Sequence, residues 1–207
     1  MSVEKAYNLW SAQYDTNENK TRDLDKKSTI ETLSRYDFDN VLELGCGTGK
    51  NTKWLLQKAN KIIGLDFSQE MLHLAKAKIT NSKVQFKKND LTKSWEVENG
   101  FADLITSSLT LEHIKNLDHI FKEANRTLKK DGLFFISELH PFKQYTGSQA
   151  RYETDEGLQK VDAYIHHISE YLTEAEKSNF TLLEIKEWFD QQSDHQIPRL
   201  ISFVFQK

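Results

Sequence analysis

Between residues 41 and 136 short apolar runs alternate with amphipathic stretches, and this alternation constrains the chain more than any other feature. Val41-Leu42-Glu43-Leu44, Ile62-Ile63-Gly64-Leu65, Val84-Gln85-Phe86, Phe101 to Thr106 and Leu133-Phe134-Phe135-Ile136 read as strands. Between them lie Trp54, Leu55 and Ala59, then Met71, Leu72, Ala75 and Ile79 behind a capping Ser68, then Leu117, Ile120, Phe121, Ala124 and Leu128, each group at helical spacing. Strands separated by helices must run parallel. Phe180 to Trp188 and Leu200 to Phe205 then read as two strands with only a loop between them, and such a connection forces an antiparallel pair. The expected fold is α/β, a Rossmann-like doubly wound sheet of seven strands, mostly parallel with a C-terminal antiparallel hairpin.

The flanks are less regular. Val3, Ala6, Tyr7, Trp10 and Tyr14 form an aromatic stripe at helical spacing, and a polar stretch from Asp15 to Lys27 precedes a second helix carrying Ile30 and Leu33. Periodicity is weak from 141 to 167, and Thr173-Glu174-Ala175-Glu176 has the capping-box spacing of a helix start. A chain of 207 residues can bury a sizeable core unaided. With 28 basic and 31 acidic side chains the net charge of −3 does not match a nucleic-acid backbone. The single cysteine, Cys46, excludes an internal disulfide and suits a reducing compartment. No apolar run approaches the ~20 residues that span a bilayer, and Met1-Ser2-Val3-Glu4-Lys5 lacks a signal-peptide pattern. The expectation is a soluble cytoplasmic protein, monomer or homodimer, with neither nucleic-acid nor membrane partner.

The chemistry concentrates at Gly45-Cys46-Gly47-Thr48-Gly49, where a strand turns into a helix. Glycines at alternate positions let the backbone turn sharply and approach a ligand closely, beside the free N–H groups of a helix start. Asp66 follows 21 residues after Gly45, the distance at which an acidic residue ending the second strand meets ribose hydroxyls. The dinucleotide fingerprint requires glycine or alanine at position 50, which is Lys50, and no Walker spacing is present. A nicotinamide-dependent oxidoreductase is therefore the weaker rival.

The run Val41 to Gly49 resembles the first motif of the class I S-adenosylmethionine-dependent methyltransferases, and the resemblance extends over residues 37 to 140. It implies that Gly45, Cys46, Gly47 and Gly49 face the methionine part of S-adenosyl-L-methionine, with Glu43 holding its ammonium end. Asp66 would take the ribose hydroxyls, Phe67 and Met71 the adenine face, and Asp90, flanked by Asn89 and Leu91, the adenine amino group. Phe67 serves equally as core, and Asp90 as a turn residue. Ser107 would stand where cofactor and acceptor meet. Tyr14, with Tyr7 as second choice, matches an N-terminal tyrosine that reaches the cofactor carboxylate. Asp131 stands where many relatives have glycine.

On the acceptor side His140 ends the fifth strand, where open α/β sheets bind ligands, and His113 follows the fourth. Either can serve as a base, and His113 equally as a surface residue. Tyr145, Tyr152 and Tyr164 serve as pocket walls or as core. His166-His167 has no metal spacing, so no metal is expected. The reading is one domain over 1–207, with 1–36 as a helical cap or lid and 141–179 as an acceptor-side insertion. It is a methyltransferase acting by in-line displacement on a small-molecule O, N or C acceptor and releasing S-adenosyl-L-homocysteine. The rival from another class is a non-catalytic scaffold that binds the same cofactor.

Overall fold

The computed structural model describes residues 3–154, 157–190 and 197–207, the side chains of Ala12, residues 152–154 and Leu158 excepted. Helices α1 (Val3–Tyr14) and α2 (Lys20–Leu33) precede β1 (Asn40–Leu44), α3 (Thr52–Leu55), β2 (Lys61–Asp66), α4 (Gln69–Lys78) and β3 (Val84–Lys88). Next come β4 (Ala102–Ser108), a single 3-10 turn over Leu111–His113, α5 (Asp118–Thr127) and β5 (Leu128–Leu139). The chain ends with α6 (Pro141–Tyr145), β6 (Arg151–Thr154), β7 (Gly157–Lys160), α7 (Ile168–Lys177), β8 (Thr181–Trp188) and β9 (Leu200–Gln206).

Seven strands form one sheet in the order β3-β2-β1-β4-β5-β9-β8, and β6 pairs with β7 separately. The pairs β2–β3, β1–β2, β1–β4 and β4–β5 are parallel, whereas β9 is antiparallel to both β5 and β8. The expected hairpin is present. Period-two alternation sends Leu42, Ile63, Ile105, Phe134 and Ile136 into one core with Phe121 of α5 and Tyr171 of α7. Val41, Ile62, Leu104, Leu133 and Phe135 enter the other, against Leu33 and Leu55. Both faces of the sheet are therefore covered, as a parallel sheet requires. Ser68 caps α4 as expected, its hydroxyl accepting from the Met71 N–H.

Three boundaries differ from the expectation. The polar stretch 15–27 is not an extended connection, because α2 begins at Lys20, with Asn19 capping the Arg22 N–H. Its buried face is Arg22, Asp25, Ser28, Thr29 and Thr32, so no apolar stripe marks it. α7 begins at Ile168, not at Thr173: the Glu170 carboxylate accepts the His167 N–H and also binds the His166 ring. The turn at Leu128-Lys129-Lys130-Asp131-Gly132 is part of β5, which bends at Asp131 (φ 63°) and continues.

Candidate functional site

The carboxyl ends of β1, β2 and β4 open into a cleft with two compartments, of about 110 and 50 Å³. Tyr14, Gly45, Gly47, Ser108 and Leu109 form walls of both. The glycine turn shapes the dividing wall. Gly45 and Gly47 have φ of +65° and +51°, where an L side chain is strained. A Cβ on Gly45 would also lie 2.1 Å from the Thr110 hydroxyl, so the loop after β4 presses directly on the turn. Gly49 reaches neither compartment. Its N–H binds the Cys46 carbonyl, and a Cβ there would meet Ile79 at 2.7 Å, so its role is packing.

The larger compartment is lined by Asp66, Phe67, Met71, Asn89, Asp90 and Leu91 on one side and by Tyr7, Thr110, His113 and Ile114 on the other. Asp66, at the end of β2, accepts the Gly47 and Ser68 N–H groups, each at 2.8 Å. Burial raises its pKa to about 6 despite those bonds. The Asn89 N–H binds the Asp66 carbonyl and joins the two acceptor-rich turns. Asp90 is exposed and accepts both the amide and the hydroxyl of Thr92 with one oxygen, so it makes a turn while facing the cleft.

The smaller compartment is polar. Glu43, Cys46, Thr48, Lys50, Asn51 and Thr106 line it together with Arg22 and Asp25 from α2. Burial raises the Glu43 pKa to about 8, and the Thr52 hydroxyl donates to its carboxyl. The Cys46 thiol turns away to pack with Leu72, Ala75 and Phe86, and burial raises its pKa far above the ordinary thiol value. Arg22 binds the Tyr14 and Asn17 carbonyls, and its guanidinium carbon lies 4.3 Å from the Tyr14 ring centroid. Burial raises Asp25 to about 6, tempered by the Asn51 amide, which donates to Oδ2. Arg22 Nε, Asp25 Oδ1, Thr106 Oγ1 and Ser108 Oγ are buried without hydrogen-bond partners among the described residues. Unmet donors and acceptors of both charges facing one small cavity suit a zwitterionic ligand end, since leaving such groups unpaired costs about 1–3 kcal/mol each.

Two residues singled out from sequence lie elsewhere. Ser107 faces the α5 and α7 side of the sheet, as Ile105 does, and lines neither compartment; its neighbours Thr106 and Ser108 face α2. β4 runs to Ser108, one turn of the alternation past where its apolar residues stop. His140 is also off the cleft. It is fully buried, its Nδ1 accepts the Phe142 N–H as the cap of α6, and its Nε2 lies 3.1 Å from Glu187. His113 does line the cleft. The Asp162 carbonyl can only accept, so Nδ1 carries the proton and Nε2 accepts the Tyr7 hydroxyl at 2.8 Å. Burial lowers its pKa below the usual histidine value. Tyr145 and Tyr164 are exposed outside the cleft, and the side chain of Tyr152 lies outside the described residues.

Sequence reasoning passed over Arg22 and Asp25. The available signal was a stripe of small and charged residues at 22, 25, 28, 29 and 32, helical in period but polar in kind. Leu109 was also missed; its φ of +52° is a strained backbone between the two compartments. Among the described residues no cluster is suited to a metal, and no helix is long and apolar enough to cross a membrane.

Comparison with known proteins agrees with this geometry. Residues 42–136 match the model of a methyltransferase domain. A demethylmenaquinone methyltransferase of Lactobacillus johnsonii is 36% identical over 120 residues, 55% of this chain and 49% of that protein, so the chain spans about half its length. An uncharacterized methyltransferase of Emericella nidulans is 27% identical over 224 residues, covering 87% of this chain and 76% of the relative. The fold is shared with an S-adenosylmethionine-dependent methyltransferase from Mesorhizobium loti, with a TM-score of 0.73 at 19% identity over 89% of this chain and 98% of that one. Sheet order, glycine turn and matched segment agree with one another: residues 42–136 are similar to a methyltransferase domain, and the chain has the fold of such enzymes.

Proposed function

We propose that this chain binds S-adenosyl-L-methionine in the two-compartment cleft and transfers its methyl group to a small-molecule acceptor carrying a nucleophilic O, N or C, releasing S-adenosyl-L-homocysteine. The observation that carries the reading is the division of the cleft: a carboxylate and apolar walls in one compartment, unpartnered groups of both charges in the other. Asp66 would accept from a ribose diol, Phe67, Met71 and Leu91 would enclose the base, and Asp90 or Asn89 would accept from its amino group. Arg22 and Tyr14 would meet the carboxylate of the amino-acid end, and Asp25, Glu43 and the Gly45 turn its ammonium. The bound cofactor supplies an electrophilic methyl group on a sulfonium.

The chain's own contribution is alignment and exclusion of water. Positioning of this kind can supply up to about 7–11 kcal/mol of a bimolecular barrier. Helix α1 is tied over the cleft by Tyr7 to His113, by Asn8 to Ser68 at 2.6 Å and by Glu4 to Lys88, as a lid would be. Residues 1–36 are the lid in this reading and 141–179 the acceptor-side element. His113 is the proton acceptor for a protonated acceptor group that displaces the Tyr7 hydroxyl from Nε2: Nδ1 carries the ring proton, and burial disfavours the charged ring. His140 has both ring nitrogens engaged and holds α6.

Isothermal titration with S-adenosyl-L-homocysteine tests the reading. The wild-type chain should bind, and Asp66→Ala should weaken binding by about 10- to 100-fold, the loss of hydrogen bonds to a charged group. A folded chain that binds neither S-adenosyl-L-homocysteine nor S-adenosyl-L-methionine overturns it. Binding without turnover across a broad acceptor panel would favour the scaffold.

A further inference from the structure

We propose that the acceptor carries an extended apolar portion, and that this portion lies along a ridge of Phe142, Tyr145, Tyr164 and Ile165 outside the cleft mouth. The proposal rests on the methyl-transfer reading and names the acceptor class for the same site. These four side chains are 55%, 52%, 42% and 42% exposed, and grouped exposed apolar side chains mark binding surfaces.

The ridge adjoins one wall of the cleft. His113 and Ile114 line the larger compartment, and the segment 162–166 is bonded along them at three points. The Tyr164 N–H donates to the Glu112 carbonyl at 2.6 Å, His113 Nδ1–H to the Asp162 carbonyl at 2.8 Å, and His166 Nε2–H to the Ile114 carbonyl at 2.8 Å. Tyr164 and Ile165 therefore stand just outside the wall that faces the reacting groups. Helix α6 extends the surface. Gln144 reaches the Tyr164 carbonyl, and the Tyr145 hydroxyl binds the His167 ring.

The ridge is also preformed rather than loose. Phe142 stacks parallel on the fully buried His140 ring, with centroids 5.4 Å apart and planes at 1°, and Tyr145 packs edge-on against Phe142. A rigid aromatic surface loses little conformational entropy on covering an apolar chain. The acceptor-side wall of Leu109, Thr110, His113 and Ile114 carries no fixed positive charge, which suits an uncharged reacting end. An uncharged nucleophilic head with an apolar tail is the chemistry that fits both surfaces.

The test titrates 4-alkylphenols, ethyl to octyl, into the full chain saturated with S-adenosyl-L-homocysteine. Affinity should rise about two- to fourfold per added methylene, the gain expected for burying each one in part or in full. Phe142→Ser/Tyr164→Ser/Ile165→Ser should flatten that rise. The control Leu183→Ser/Ile185→Ser, on the exposed far edge of the sheet, should leave it unchanged. Should the triple variant fail to fold, Ile165→Ser alone should give a smaller flattening. A missing rise, a rise that survives the ridge substitutions, or one that the control also removes overturns the proposal. A wild-type dimer that the ridge substitutions dissolve, seen by sedimentation, assigns the ridge to a second copy and also overturns it. Failure to bind S-adenosyl-L-homocysteine at the outset would instead sink the methyl-transfer reading.

Discussion

The two walls of the cleft are built by different physical means. The wall from β1 and β2 is largely backbone: two glycines at positive φ and a carboxylate held by amides from residues 47 and 68. The opposite wall, from α1 and α2, is all side chains, whose partners lie far along the chain, as in Tyr7 with His113, Asp15 with Thr48 and Asn51 with Asp25. A backbone wall needs a particular residue type at a particular place. A side-chain wall needs only that several distant segments be brought to the same spot, and many residue types can meet that need.

If this contrast is right, the backbone wall should break hardest. Gly45→Ala adds a Cβ onto the Thr110 hydroxyl as well as forcing a strained φ, and should cost about 2–4 kcal/mol in urea unfolding. Gly47→Ala meets nothing within 4 Å and should cost about 1–2 kcal/mol, from the backbone term alone. Equal losses at the two positions would show that the contact with Thr110 is not what holds the turn.

Arg22→Ala tests the side-chain wall. It should lower affinity for S-adenosyl-L-homocysteine by about tenfold or more, as expected when a charged hydrogen bond is lost. Arg22→Lys should not restore it, because the guanidinium fork also spans the Tyr14 and Asn17 carbonyls. Full affinity in Arg22→Ala would remove α2 from the site.

Both walls meet over buried carboxyls, and pH reads them together. Burial raises Glu43 and Glu138 to about 8, and the repulsion of Glu112 adds to Glu138. A carboxyl whose pKa is raised on folding contributes fully below its unfolded value, near 4.3, and loses that contribution as pH rises through the folded value. The thermal midpoint should therefore fall between pH 5 and pH 9, and Glu43→Gln should flatten the fall. An unchanged slope in the variant would mean that Glu43 is already ionised. Asp66, at about 6, gives the reverse sign for binding: affinity for S-adenosyl-L-homocysteine should decline as pH drops below 6.

The smallest effect belongs to the contact between α1 and the loop after β4. Tyr7→Phe removes one hydrogen bond to His113 and should cost about 0.5–1.5 kcal/mol of stability, measured by urea denaturation.

The same contrast explains what could be read from the sequence. The strands, their order of appearance, the closing hairpin and the Ser68 cap were legible because alternation and capping are local codes. So were Gly45, Gly47, Asp66 and the 89–91 turn, which sit at strand ends whatever the rest of the chain does. Arg22 and Asp25 were not legible, since a helix that buries polar groups looks like a solvated loop. Ser107 and His140 lie off the cleft for a geometric reason. Each lies near the correct edge of the sheet, but one points to the wrong face and the other is consumed in capping a helix. Sequence position selects the edge, and only packing selects the direction.

The polar face of α2 has a thermal consequence. Apart from Leu33 at its end, the fully buried residues of the helix carry hydroxyls and charges rather than hydrocarbon, and the hydroxyls of Thr29 and Thr32 have no hydrogen-bond partner among the described residues. Were its Arg22–Thr29 part to separate from the Ser108 and Ser137 side chains it lies on, little apolar area would be wetted, so the heat-capacity change of that opening should be small. If ligand enters and leaves by that opening, its exchange rate should follow a nearly straight Arrhenius line, while global unfolding of the same chain curves.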